Sequence, residues 1–151
     1  MTTMPAAVDA LVDVCRAALP GVRVDDEWTD EPFEEDAEGL TIGVSVAWDE
    51  EGSAIVAELD REQSDGMGTD LETYRIYSNL FVAWGNPETP PLRALCFEKY
   101  EAIKATLRAR RPFAPNVMRA RMLVVEYNVV PIEGGWEGQL RFAVEVTAFD
   151  R

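Results

Sequence analysis

Carboxylates are the most numerous groups in this chain that could take part in chemistry, with 28 Asp and Glu residues among 151. The chain has no histidine, so it lacks the commonest general base and the commonest metal ligand. Sites in which a histidine activates a serine or cysteine nucleophile are therefore excluded. A paired-carboxylate hydrolase or a calcium site stays open, because both need only carboxylate oxygens.

Motifs for phosphate, dinucleotide or calcium binding are incomplete in this sequence. No Gly-x-x-x-x-Gly-Lys-Ser/Thr pattern occurs. The Gly66-Met67-Gly68 stretch lacks the flanking strand and helix of a dinucleotide site. The acidic stretch 25–36 lacks the glycine that an EF-hand loop needs at its sharp turn. We therefore expect a protein that is not an enzyme and that has no catalytic residues, cofactor or metal.

Charge is divided unequally between the two halves of the chain, whose net charge is −14. Residues 1–70 hold 19 acids against 3 arginines, whereas residues 71–151 hold 9 acids against 11 bases. This division disfavours nonspecific nucleic-acid binding, which needs a basic surface, and it allows an acidic surface of one copy to meet a basic surface of another. The alternative is that the acidic excess only keeps the protein soluble.

The strongest concentration of charge is residues 25–38, where nine of fourteen residues are acidic and none is basic. Burying so many like charges would be prohibitive, so we expect an exposed loop. Trp28 lies among these carboxylates, and a large aromatic side chain in such a place could anchor a contact with a partner. Residues 60–70 are polar and glycine-rich without periodicity, which predicts a second loop.

Hydrophobic periodicity predicts two helices and six strands. Apolar residues recur at three- and four-residue spacing over 5–19 and 92–110, which predicts helices there. Alternation predicts strands at 22–24, 40–48, 54–59, 71–84, 117–130 and 136–149. We expect the third strand to return as a hairpin arm of the second. In the fifth strand the apolar face changes from that of Met118 and Met122 to that of Val125 and Tyr127, which indicates a bulge or a segment covered on both faces.

The order α-β-β-β-β-α-β-β predicts a single α+β domain over residues 1–151, in which an antiparallel sheet packs against two helices. Strong curvature of that sheet is an open alternative. No run reaches the roughly 18–20 apolar residues of a membrane helix, and no secretion signal is recognisable, so we expect a protein made in a cytoplasm. Cys15 and Cys96 fall within the helical patterns, which favours buried free thiols over a disulfide.

Five short segments, taken in order along the chain, follow a pattern met in one known family. They are Arg16–Val24, Leu40–Val44, Ala83–Gly85, Tyr100–Arg108 and Leu140–Ala148. Together they resemble the tail terminator proteins of long-tailed, siphovirus-like phages, especially those that infect actinobacteria. The resemblance spans most of the chain but includes neither residues 25–38 nor residues 60–70.

This resemblance implies a structural virion protein at the head-proximal end of the phage tail. Such a protein caps the tail tube as a homo-oligomeric ring, typically a hexamer, and ends tail polymerisation. It also provides the interface to head-completion proteins, and DNA passes through the ring without specific binding. The implied partners are other copies of this chain, the major tail tube protein and a head-completion or connector protein, with no membrane.

Charge segregation indicates where the surfaces of such a ring would lie, because a head-to-tail ring needs two different complementary surfaces on each subunit. Candidates for the subunit interface are Arg108, Arg110, Arg111, Arg119, Arg121 and Trp28. An acidic lumen would let DNA pass by repulsion. Candidates for lumen or ring-edge positions are Glu50, Glu51, Asp65 and Asp70.

Two other kinds of function are compatible with the sequence. A monomeric acidic binding protein, such as an inhibitor or antitoxin, could imitate nucleic acid through residues 25–38 and bind a basic partner. A small carboxylate-based enzyme is the other kind, and the absence of histidine and of any recognisable motif disfavours it.

Overall fold

The computed structural model describes residues 3–25, 40–47, 55–58, 70–85, 90–132 and 134–150. The two helices and six strands follow one another in the predicted order, and the fold is α+β. They are α1 (Met4–Ala18), β1 (Arg23–Asp25), β2 (Leu40–Val46), β3 (Ile55–Glu58), β4 (Asp70–Trp84), α2 (Pro90–Ala109), β5 (Val117–Ile132) and β6 (Gly135–Asp150). Each bound lies within two residues of its predicted position.

The six strands form one open sheet in the order β1-β2-β4-β6-β5, with β3 paired to β4 beside that path. The predicted antiparallel arrangement holds for every pairing except that of β1 with β2, which is parallel. A parallel pair needs a crossover connection of about a dozen residues or more, and residues 26–39 between β1 and β2 are long enough to provide one. The sheet is therefore mixed, with β1 and β5 as its edges.

The predicted hairpin between residues 40–48 and 54–59 is wrong. β3 pairs with β4, where Ile55 faces Ile76 and Glu58 faces Thr73. β2 has β4 on one side and β1 on the other, so neither of its edges is free for β3. β4 is long enough, at 15 residues, to pair with β3 and β2 one after the other along the same edge.

The long hairpin of β5 and β6 forms the other half of the sheet. Its loop has two residues between the facing pair Ile132 and Gly135, and Gly134 adopts a φ of 81°, a conformation that glycine accepts at no steric cost. The register shifts between Val124 and Glu126, so the change of apolar face in this strand is a bulge. A second shift lies between Val117 and Arg119.

Both helices cover the same face of the sheet. The ring of Tyr100 on α2 packs edge-on against Phe142 on β6, with centroids 6.1 Å apart. At the start of α1, Thr3 contacts Tyr74 on β4. In β6 the predicted inward face is buried, namely Leu140, Phe142, Val144, Val146 and Ala148. Neither helix of the described ranges is long and apolar enough to cross a membrane.

Candidate interaction surface

The connection from α2 to β5 is fixed at both of its ends. At the helix end, the Arg110 N–H donates to the Leu107 carbonyl at 3.2 Å. At the strand end, the Val117 N–H donates to the Ala114 carbonyl at 3.2 Å, and the Phe149 N–H donates to the Asn116 carbonyl at 2.9 Å. The arginines at the end of α2 are therefore held close to the first residues of β5.

A cavity of about 530 Å³ lies where α2 ends and β5 begins. We call it the arginine pocket. Its lining combines four arginines with apolar side chains: Leu107, Arg108, Arg110, Arg111, Pro112, Phe113, Val117, Met118, Arg119 and Ala120. Leu107, Phe113 and Val117 are at most 8% exposed and belong to the core, whereas the four arginines are exposed. The pocket is thus an apolar depression surrounded by positive charge.

The charge of the arginine pocket is uncompensated within the described part of the chain. None of Arg108, Arg110, Arg111 and Arg119 forms an ion pair with a described carboxylate. Several arginines elsewhere do have such partners: Arg23 lies 3.1 Å from Asp25, and Arg141 lies 3.9 Å from Glu126. Like charges gathered in one place favour the binding of an anion that reduces their repulsion.

Arg121 was predicted to share a surface with the other four arginines; it is on the same face of β5 as Arg119 but does not line the arginine pocket. Its Nη2 lies 3.3 Å from Glu145 Oε1 on the face of the sheet opposite the helices. The same carboxylate binds Arg75 through Oε2 at 3.1 Å. The pKa of Arg75 is raised, mainly by a side-chain hydrogen bond with Tyr77 and secondly by the hydrogen bond with Glu145. Arg121 therefore belongs to a compensated ion-pair network outside the pocket.

Of the remaining predicted site residues, the structure describes only Asp70. Trp28, Glu50, Glu51 and Asp65 lie outside the described residues. Asp70 is the first residue of β4, and its backbone faces Asp150 of β6. The lumen or ring-edge role of these acids stays a prediction.

The sequence analysis did not predict the apolar residues that line the pocket. Alternation put Met118 on the same face as Met122, but the register shift between Val117 and Arg119 interrupts that alternation, and Met118 is 58% exposed. Phe113 lies in a proline-flanked connection whose periodicity is too short to interpret. One signal in the sequence could have indicated this surface. Met118 is the second residue of a strand that begins shortly after a helix end rich in arginine.

In the described ranges no group of three or more carboxylate or cysteine side chains is placed to hold a metal ion. Cys15 and Cys96 are buried free thiols, and burial raises the pKa of each to about 12, so both stay protonated. What the arginine pocket can do is bind, through ion pairs at its rim and apolar contact at its floor.

A scan against models of known protein families found no family that matches this chain, and a search of the curated proteins found no matching protein.

Proposed function

We propose that this chain is a structural virion protein that caps a phage tail tube as a ring, built from six copies in the manner of the family it resembles. The ring would end tail polymerisation and present a surface to the head-completion protein. Two things support the proposal: the resemblance to tail terminator proteins, carried by five segments of the sequence, and the placement of opposite charges on the fold.

That placement is the observation on which the proposal depends. The arginine pocket lies at the β5 edge of the sheet, whereas residues 26–39 connect β1, the opposite edge strand, to its neighbour β2. An interface between two different surfaces of identical subunits propagates from copy to copy and closes into a ring when the rotation permits. A basic pocket at one edge and an acidic segment that connects the strands at the other side would give each copy the two complementary surfaces that such an interface requires.

DNA would pass through this ring without being gripped. The chain has a net charge of −14, and acids are concentrated in its first half. Acidic residues lining the opening would repel the phosphate backbone. Glu50, Glu51, Asp65 and Asp70 stay our candidates for that lining, and the major tail tube protein and a head-completion protein would bind the two rims of the ring.

Two measurements test this function. Electron microscopy of the purified chain added to growing tubes of the tail tube protein should show rings at tube ends, and excess chain should shorten the tubes. Tubes of unchanged length without rings at their ends would contradict the proposal. If the chain then also binds a basic partner as a stable monomer, the alternative of a monomeric acidic inhibitor, antitoxin or nucleic-acid mimic would be favoured.

A further inference from the structure

The arginine pocket calls for an occupant with several carboxylates and at least one large apolar group. Its rim carries four arginines without a described carboxylate partner, and its floor is formed by Leu107, Phe113 and Val117. Guanidinium groups bind carboxylates through paired hydrogen bonds and also stack on aromatic faces. An acidic peptide with aromatic side chains matches both parts of the pocket.

Residues 26–38 of this chain have that composition. Eight of these thirteen residues are acidic, none is basic, and Trp28, Pro32 and Phe33 lie among them. We propose that the arginine pocket receives residues 26–38 of a second copy of the chain. This inference rests on the proposed ring and names the two surfaces that join its subunits.

The geometry of the sheet argues that the occupant comes from another copy. Asp25 lies four strands across and six residues along the sheet from the level of Arg119, and Leu40 lies three strands across and eleven residues along. With strands about 4.8 Å apart and about 3.4 Å per residue, these offsets are about 28 Å and about 40 Å. The fully extended chain from Asp25 to Leu40 spans only about 50 Å, less than their sum of about 68 Å.

A copy's own segment is therefore too short to run along the sheet to the level of Arg119 and return, whereas a neighbour's pocket can lie beside the whole segment. The exposed Met118 extends the apolar surface of the pocket along the β5 edge, so the two edges would meet over more than the pocket alone. The contact is heterologous, as a ring demands.

The test measures binding of a fluorescent peptide of residues 26–38 to the full chain by fluorescence anisotropy. The receptor carries Trp28→Ala and Phe33→Ala, which disables its own segment and leaves its pocket intact. We expect saturable binding that weakens with salt, because exposed charge pairs are screened. Adding Arg111→Glu and Arg119→Glu to the receptor should weaken binding at least about tenfold, since charge reversal turns attraction into repulsion.

A matched control separates the pocket from net charge. Arg93→Glu with Lys99→Glu makes the same change in charge on α2, at residues that do not line the pocket, and should leave peptide binding unchanged. If circular dichroism shows that the W28A/F33A receptor is unfolded, the peptide is added in excess to the wild-type chain. Binding is then read from the mass of the complex, or from dissociation of a preformed ring.

Three outcomes would overturn the inference: no binding of the peptide, equal binding to the R111E/R119E receptor, or tighter binding of single-stranded DNA than of the peptide at the same salt. The proposed function fails separately. Rings at tube ends that are insensitive to R111E/R119E would contradict the pocket contact alone, whereas pocket-dependent peptide binding by a chain that never caps tubes would contradict the ring alone.

Discussion

At the scale of single residues, a buried hydrogen-bonded cluster ties the beginning of α1 to β4. The Thr3 N–H and hydroxyl both donate to Glu72 Oε1, at 2.7 and 2.5 Å. Since the threonine proton is used for Glu72, the Tyr74 hydroxyl donates to Thr3 Oγ1 at 2.9 Å. Glu72 is 3% exposed, so its carboxylate depends on partners of this kind in place of water.

Replacing Thr3 by valine should lower the free energy of unfolding by about 1–3 kcal/mol, because it removes a hydroxyl on which two buried groups depend. Urea denaturation would measure the change. Thr106→Val is the matched control, since that hydroxyl only donates to Ala102 O within α2, and its effect should stay within about 0.5 kcal/mol. Equal losses for the two variants would show that the Thr3 cluster does not stabilise the fold.

Because two cysteines are buried, we expect the free energy of unfolding to fall at alkaline pH. Burial raises the pKa of Cys15 and Cys96 from 9.0 to about 12, so above about pH 9 the unfolded chain releases these protons while the folded chain keeps them. Stability contributed by the thiols is complete below pH 9 and falls as the pH rises towards 12. Tyr74, whose pKa burial raises to about 12, acts in the same direction.

Thermal denaturation between pH 8 and pH 10 tests this. The melting temperature of the wild-type chain should fall more steeply with pH than that of a Cys15→Ala, Cys96→Ala variant, which has no thiol to deprotonate. Curves with the same slope would mean that the cysteines ionise alike in both states.

At the scale of elements, close packing of α2 on the sheet depends on a residue without a side chain. A Cβ on Gly138 of β6 would lie 2.9 Å from Cys96 Sγ and 3.2 Å from Leu92 Cγ, both on α2 and both almost wholly buried. Neither atom is at the end of a mobile surface side chain. The helix could accept a larger residue here only by moving away from the sheet.

Gly138→Ala should therefore destabilise the chain by about 1–3 kcal/mol, the usual cost of overpacking a core. Gly85→Ala is the control, because an added Cβ there would have its nearest neighbour at 3.8 Å and should change stability by less than about 0.5 kcal/mol. Denaturant midpoints of the two variants provide the comparison. A Gly138→Ala variant as stable as the wild type would mean that α2 is free to shift.

Most elements could be predicted because their signals are local. The alternation in β6 and the apolar stripe of α2 depend only on which face of one element is buried. Pairing is not local, and it is where prediction failed. β3 pairs with β4 because β2 already has a neighbour on each side. One of those neighbours is β1, which has only three residues and therefore too little alternation to predict its pairing.

The candidate site was only partly predictable for the same reason. Arg108, Arg110 and Arg111 are close in sequence to the helix end, so their common position follows from the chain itself. Whether Arg119 or Arg121 joins them depends on the partners that β6 offers, and Glu145 pairs with Arg121 while Arg119 lines the pocket. Charge counting treats the two arginines alike, although among the described residues only Arg121 has an ion-pair partner and only Arg119 lines the pocket.

At the scale of the whole molecule, a basic pocket lies at one edge of the sheet, and the most acidic part of the sequence connects the two strands at the other side. The β5 edge presents the arginine pocket, and the acidic segment 26–38 is attached at the edge of β1 and β2. Opposite charges placed this way on every copy allow addition of one copy to the next but give no reason for two like edges to meet. We therefore propose a ring assembled head to tail.

The native mass of the chain, measured by light scattering on a size-exclusion column at low and at moderate salt, tests that claim most directly. We expect a species of about 100 kDa, six times the 16.8 kDa chain, that dissociates as salt rises, because screening weakens exposed charge pairs. The R111E/R119E variant should be monomeric where the R93E/K99E control is not. A monomer at every concentration and salt, or an oligomer that both variants form equally well, would contradict the account.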